Sequence, residues 1–231
     1  MTTRQDFITA IGSLVKGDFP LGEPEKILAL SKAVKRYSQD RPREVVEDEV
    51  GNGTPDYALT LLASWAEGFS TVKKIEYPLD ALDDDDANTL QEDSWKIYNK
   101  PAGKVIRFVD DKPVATESMR ITYTALHVCD DTQSTIPVAD EEAVQMLAAS
   151  GFCNMLATYY ANSQDSTIQA DSVDHKSKSG DYAARAKTYR QQYFDHLGLQ
   201  EGEVPPASVT RDQDTRPSWR SDQLTHPRKF R

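Results

Sequence analysis

Two stretches of this chain hold the side-chain types that chemistry needs. His127, Cys129, Asp130 and Asp131 bring imidazole, thiol and carboxylates close together in sequence, a donor set suited to zinc. Zinc sites draw their ligands from C-x-x-C or H-x-x-x-H pairs, and neither spacing occurs here, so the pattern predicts no metal. Asp171, Asp174, His175 and Ser177 supply the members of a nucleophilic triad. A triad is assembled from separated segments, however, and the chain has no G-x-S-x-G elbow, so local turn-capping by Asp171, Ser172, Ser177 and Ser179 is the expected role.

The acidic run Asp83, Asp84, Asp85 and Asp86 invites comparison with a calcium loop. Such a loop needs ligands at alternating positions, a central glycine and a distal glutamate, and this register is missing. Adjacent like charges stay hydrated, which makes a solvated acidic stretch the expectation. Phosphate-binding, dinucleotide-binding and H-E-x-x-H motifs are all absent from the sequence. The sequence therefore predicts no catalytic residue, no metal and no cofactor, and a protein that is not an enzyme.

Charge narrows the partners. The 231 residues carry a formal net charge of −10, with 28% charged and 38% hydrophobic residues. Specific nucleic-acid binding through phosphate neutralisation needs clustered Lys and Arg, which this balance disfavours. Arg185, Lys187 and Arg190 are too few for a nucleic-acid face and read better as a protein interface or a solvated face. The N-terminus lacks the apolar core of a signal peptide, and no stretch approaches the roughly 20 apolar residues of a membrane span. A soluble protein made in the cytoplasm is expected, with Cys129 and Cys153 as free thiols.

The elements that would position these residues follow from periodicity. Phe7, Ile8, Ile11, Leu14 and Val15 predict a helix over 4–16, and Ile27, Leu30, Val34 and Tyr37 a second over 24–38, with Pro24 in its first turn. Residues 43–53 read as a short extended piece ending in a Gly-Asn-Gly turn, and residues 57–69 as a third helix. From 70 to 137 the period changes to two, and segments at 71–78, 95–99, 103–109 and 119–128 predict four strands in an antiparallel meander.

Residues 138–198 are the most strongly patterned part, a helical hairpin joined by a polar loop. Val144, Leu147, Ala148, Gly151, Met155 and Tyr159 share one face of its first helix, with Asp140 as N-cap. Tyr182, Ala186, Tyr189, Tyr193 and Leu197 stripe the second, which starts at Ser179 or Asp181 and stops at Gly198. The fold class is α+β, mainly α: a helical bundle with an inserted antiparallel β-meander, over residues 1–198. Residues 199–231 contain four prolines and no period, and form an extended C-terminal arm. Within it Trp219 and Phe230 lie among Arg216, Arg220, Arg228, Lys229 and Arg231, the aromatic and arginine mixture of interface anchors.

Several of these segments together resemble one family. S-K-A-V-K-R-Y-S-Q-D-R-P, L-L-A-S-W-A-E-G-F-S-T-V-K-K-I-E-Y-P, the run T-I-P-V-A-D-E-E-A-V-Q-M-L-A-A-S-G-F-C-N-M-L-A-T-Y-Y-A-N and, most specifically, S-K-S-G-D-Y-A-A-R-A-K-T-Y-R-Q-Q-Y resemble the head-to-tail connector (adaptor, or head-completion) proteins of tailed bacteriophages. The resemblance implies a virion protein, assembled in the host bacterial cytoplasm into a homo-oligomeric ring of about twelve copies. That ring docks on the portal protein at the capsid vertex and offers a platform to a downstream tail or neck protein. It further implies that the arm residues grip the portal, that Arg185, Lys187 and Arg190 meet neighbouring subunits, and that DNA only passes through the lumen. Asp83 to Asp86 are the lumen candidates, repelling DNA so that it slides. A stopper or tail terminator, usually small and β-rich, is the other neck assignment; a soluble enzyme with an unfamiliar site is the reading from a different class.

Overall fold

The computed structural model describes residues 2–17, 20–79, 89–101, 103–109, 112–162 and 175–200, covering the backbone alone at 92 and 175–177. The chain divides into one unit, Met1–Glu201, and a second, Gly202–Arg231. The first unit is α+β, with two apolar cores, one among helices and one among strands.

Helix α1, Arg4–Val15, starts where the Asp6 carboxylate accepts the Thr3 N–H at 2.7 Å, and it buries Phe7, Ile8, Ile11 and Val15. Helix α2, Glu23–Asp40, has proline in its first turn as expected, and buries Ala29, Leu30, Val34 and Tyr37. Helix α3, Glu141–Asn162, and helix α4, His175–Leu197, form the hairpin. α4 is stopped by Gly198 at φ 68°: Gly198 N–H donates to Asp195 O at 3.2 Å and Leu199 N–H reaches back to Phe194 O at 3.0 Å, closing the last turn.

α3 departs from the single-face expectation. It packs against α1, α2 and α4 together and buries Ala143, Ala149, Phe152, Cys153 and Leu156 besides Val144 and Ala148. A helix surrounded on most sides needs no polar face, so its apolar residues run around it. Tyr159, placed in the core stripe by its spacing, is instead 43% exposed near the helix end. Small residues set the closest approach, and a Cβ on Gly151 would stand 3.6 Å from the Ala29 Cβ of α2.

The strands are inserted between α2 and α3, but their order corrects the expected meander. One sheet runs β1 (Arg43–Val50), β6 (Ser118–Ala125), β3 (Val72–Glu76); the other runs β2 (Asp56–Ala58), β5 (Gly103–Phe108), β4 (Trp95–Lys100), all antiparallel. Residues 43–50 are thus a full strand beside β6, and among the described residues only β4 and β5 form the hairpin a meander requires. β6 is central because its buried Met119, Ile121 and Tyr123 need cover from both neighbours.

Residues 57–69 are not a helix. They make the short strand β2, a single 3-10 turn at Leu59–Leu61 and a series of turns. Tyr57 pairs with Ile106 across the sheet, while Tyr57, Leu59, Leu62 and Trp65 all join the strand core. The N–H groups that a helix would satisfy internally go elsewhere: Ala63 to the Glu47 carboxylate at 3.0 Å, Ser64 to the Tyr123 hydroxyl at 3.0 Å, Ala66 to the Ser70 hydroxyl at 2.9 Å. Gly68, at φ 81°, adds a backbone state that ends helices.

β1 ends just before Gly51, where the 112–114 loop leaves no room: a Cβ there would lie 2.0 Å from the Val114 carbonyl oxygen. Gly51→Ala is expected to destabilise the first unit by about 1–3 kcal/mol through forced backbone displacement. Urea unfolding of the variant measures this, and an unchanged midpoint would show that the 112–114 loop yields freely.

Candidate functional site

The polar centre of the first unit lies where three connections meet: α2 running into β1, β6 running into α3, and the end of α4. Asp140, expected as the N-cap of α3, is the last residue of a short 3-10 turn that runs directly into the helix, and its carboxylate does different work. It accepts the Tyr37 hydroxyl at 2.6 Å and the Arg41 guanidinium at 2.8 and 3.1 Å. His196 Nε2 stands 3.6 Å from the same group and 2.9 Å from Ala139 O. Arg41 also donates to Leu197 O at 3.3 Å, so one cation serves both the carboxylate before α3 and a carbonyl at the negative end of α4.

A second carboxylate belongs to the residue that precedes Arg41. Asp40 ends α2, a position the helix dipole disfavours for an acid, and is held by the Tyr193 hydroxyl at 2.6 Å and Arg36 at 2.9 Å. Burial, then the hydrogen bonds and charges of Asp140 and Asp40, push Tyr37 and Tyr193 respectively well above the ordinary phenol range. For Asp140 burial acts to raise the pKa, but the bonds from Tyr37 and Arg41 outweigh it and hold the carboxyl below its usual value.

His127 ties the β6–α3 connection to the same place. Its N–H donates to the Ser38 hydroxyl at 3.0 Å, Nε2 faces Arg41 O and Nδ1 faces Thr135 O, each at 3.0 Å. The ring packs 4.8 Å from that of Tyr37, and burial lowers its pKa.

The residues singled out for metal chemistry are therefore dispersed. Besides His127, Asp130 accepts two N–H groups and the Thr132 hydroxyl in its own turn, Asp131 pairs with Arg4, and burial raises the half-buried Cys129 thiol. Among the described residues no group of three or more His, Cys, Asp or Glu is placed to hold a metal ion. Cys153 is buried in the helical core, which pushes its thiol up to about 11. Asp171 and Asp174, and the side chains of His175 and Ser177, lie outside the described residues, as do Asp83, Asp84, Asp85 and Asp86.

The basic residues of α4 divide. Arg185 is exposed but donates to Val15 O at 3.3 Å, and Tyr189 donates to Leu14 O at 2.9 Å, so α4 caps the carbonyl end of α1. Lys187 is exposed, and Arg190 has its guanidinium 5.9 Å from the Phe194 ring. Arg216, Trp219, Arg220, Arg228, Lys229, Phe230 and Arg231 lie outside the described residues.

Two shallow depressions flank the polar centre. One, of about 290 Å³, is lined by Ile27, Leu30, Val34, Ser38, His127 and Cys129 among others; another, of about 240 Å³, lies between Met146 and His196. Neither opens on the Asp40 or Asp140 carboxylates, whose donors are tyrosine and arginine side chains of the fold itself. No described helix is long and apolar enough to cross a membrane. No protein-family model matches this chain, and no curated protein matches it.

Asp140→Ala is expected to cost about 1–3 kcal/mol at neutral pH, because Tyr37 loses its acceptor while half-exposed Arg41 rehydrates. Since the folded-state pKa of Asp140 is depressed, its contribution is present above the ordinary aspartate pKa of about 3.9 and lost as pH falls through the folded value. Wild type and variant should converge in urea melts as the pH is lowered below about 4. A gap that stays constant would remove Asp140 from the acid response. Tyr193→Phe should cost about 1.5–3 kcal/mol, the range for a bond to a charged acceptor, with calorimetry as the readout.

Proposed function

We infer that this chain is a virion structural protein of a tailed bacteriophage, a head-to-tail connector that assembles as a ring, docks on the portal and carries the tail or a further neck protein. The observation that carries the reading is the segment S-K-S-G-D-Y-A-A-R-A-K-T-Y-R-Q-Q-Y and its place in the fold. It lies in α4, which packs along α3, with Tyr182 stacked on Tyr160 at 5.6 Å and Ser150 donating to Ala186 O at 2.8 Å. The most family-like stretch is thus the one that builds the hairpin.

Two further features support it. The composition of residues 199–231, with four prolines, no helical or strand period, and Trp219 and Phe230 among arginines, suits a portal-gripping arm after the helical body. Four helices around one core weigh against the β-rich stopper and terminator rings. Arg185, Lys187 and Arg190 remain the subunit-contact candidates on the outer side of α4, with Arg185 also committed to α1. Passage of DNA through an acidic lumen, with Asp83 to Asp86 on its wall, belongs to the same proposal.

Deletion of residues 205–231 is expected to leave the thermal transition of the first unit unchanged and to abolish stable attachment to portal rings, read by co-sedimentation. Virions assembled normally with the truncated chain would sink the arm assignment, and a protein absent from purified virions would sink the whole reading.

A further inference from the structure

Each sheet presents an open edge whose backbone groups, among the described residues, pair only inward. At one edge β1 pairs with β6 alone; at the other β4 pairs with β5 alone. Such edges are ready templates for another strand. β1 turns Glu44, Val46, Asp48 and Val50 to solvent, with Val46 56% and Val50 61% exposed. β4 exposes Lys96, Ile97, Tyr98 and Asn99, with Tyr98 42% exposed and Lys100 partly so.

We propose that the β1 edge of one copy pairs with the β4 edge of the next, so that a continuous sheet crosses each subunit boundary. The alternating residues on β1 read acid, valine, acid; those on β4 read lysine, tyrosine, lysine. Set side by side, Glu44 meets Lys100, Val46 meets Tyr98 and Asp48 meets Lys96 in the antiparallel direction, and the same match holds in parallel because both patterns are symmetric. Charges on a lone edge serve to repel other strands. Here the two edges of one chain carry opposite signs, so each rejects its own kind and accepts the other.

The existing partners do not oppose this. Asp48 pairs with Arg120 at 2.8 Å and Lys100 with Asp56 at 2.6 Å, but these are side-chain contacts on the sheet faces and leave both backbone edges open. Because the paired edges differ, the contact is heterologous and closes into a ring when its rotation allows. The occupant is a second copy of this chain. The inference rests on the ring reading above and names the surface that builds it.

The test uses full-length chains and native mass spectrometry. E44K/D48K and K96E/K100E should each fail to self-assemble, should form mixed oligomers when combined, and should self-assemble again when all four changes share one chain. Unchanged melting temperatures would show that each variant folds. A V46C/Y98C chain should give a ladder of disulfide-linked oligomers on oxidation, and V46C alone should give none beyond a dimer. Rings whose mass ignores every charge reversal would overturn the edge pairing while leaving the ring reading intact. A chain that stays monomeric at all concentrations and gives no V46C/Y98C ladder overturns the pairing too, whereas the ring reading is judged separately by the protein's presence in virion necks.

Discussion

The carboxylate of Asp140 is bound by donors that lie far from it in sequence, Tyr37 and Arg41 on the α2 side, with His196 of α4 close at hand. Burying an acid without partners costs more than most single contacts return, so this placement is tolerable only if α2, α3 and α4 all arrive correctly. Asp40 imposes the same condition through Tyr193. The two acids therefore act as registration points: apolar packing drives the helices together, and the acids accept only one alignment of their ends. Hydrophobic burial provides the larger energy, about 1.5–3 kcal/mol for each side chain such as Phe152 or Leu156.

Surface charge plays a different part. Asp48, Arg120, Glu76 and Lys74 form a ladder across the outer face of the first sheet, with contacts from 2.7 to 4.0 Å. Exposed pairs of this kind contribute about 0–1 kcal/mol each, so they do not hold the β half together. That falls to its own core, where Tyr57 meets Phe108 edge-on and Trp65 lies against Tyr123. Two modest cores joined at one polar junction account for a chain that is only 38% hydrophobic yet folds over some two hundred residues.

Much of this architecture was legible in the sequence. Periodicity located the four helices of the described residues, and alternation located the four later strands, because those signals are local. Residues 57–69 misled because alanine and leucine favour helix, whereas their N–H groups are claimed by Glu47, Tyr123 and Ser70 from other elements or a later turn. Strand order was hidden for a related reason: β1 joins β6 across most of the inserted region. The polar junction left one faint trace, an aspartate at the unfavourable end of α2, but nothing in the spacing tied it to Tyr193.

His127 Nε2 lies 3.0 Å from the carbonyl of Arg41, so the chain leaves the helical body and returns to it at virtually one point. Everything between those residues is a detachable cassette in topological terms. A change in the length of that cassette would leave the threading of the helices unaltered.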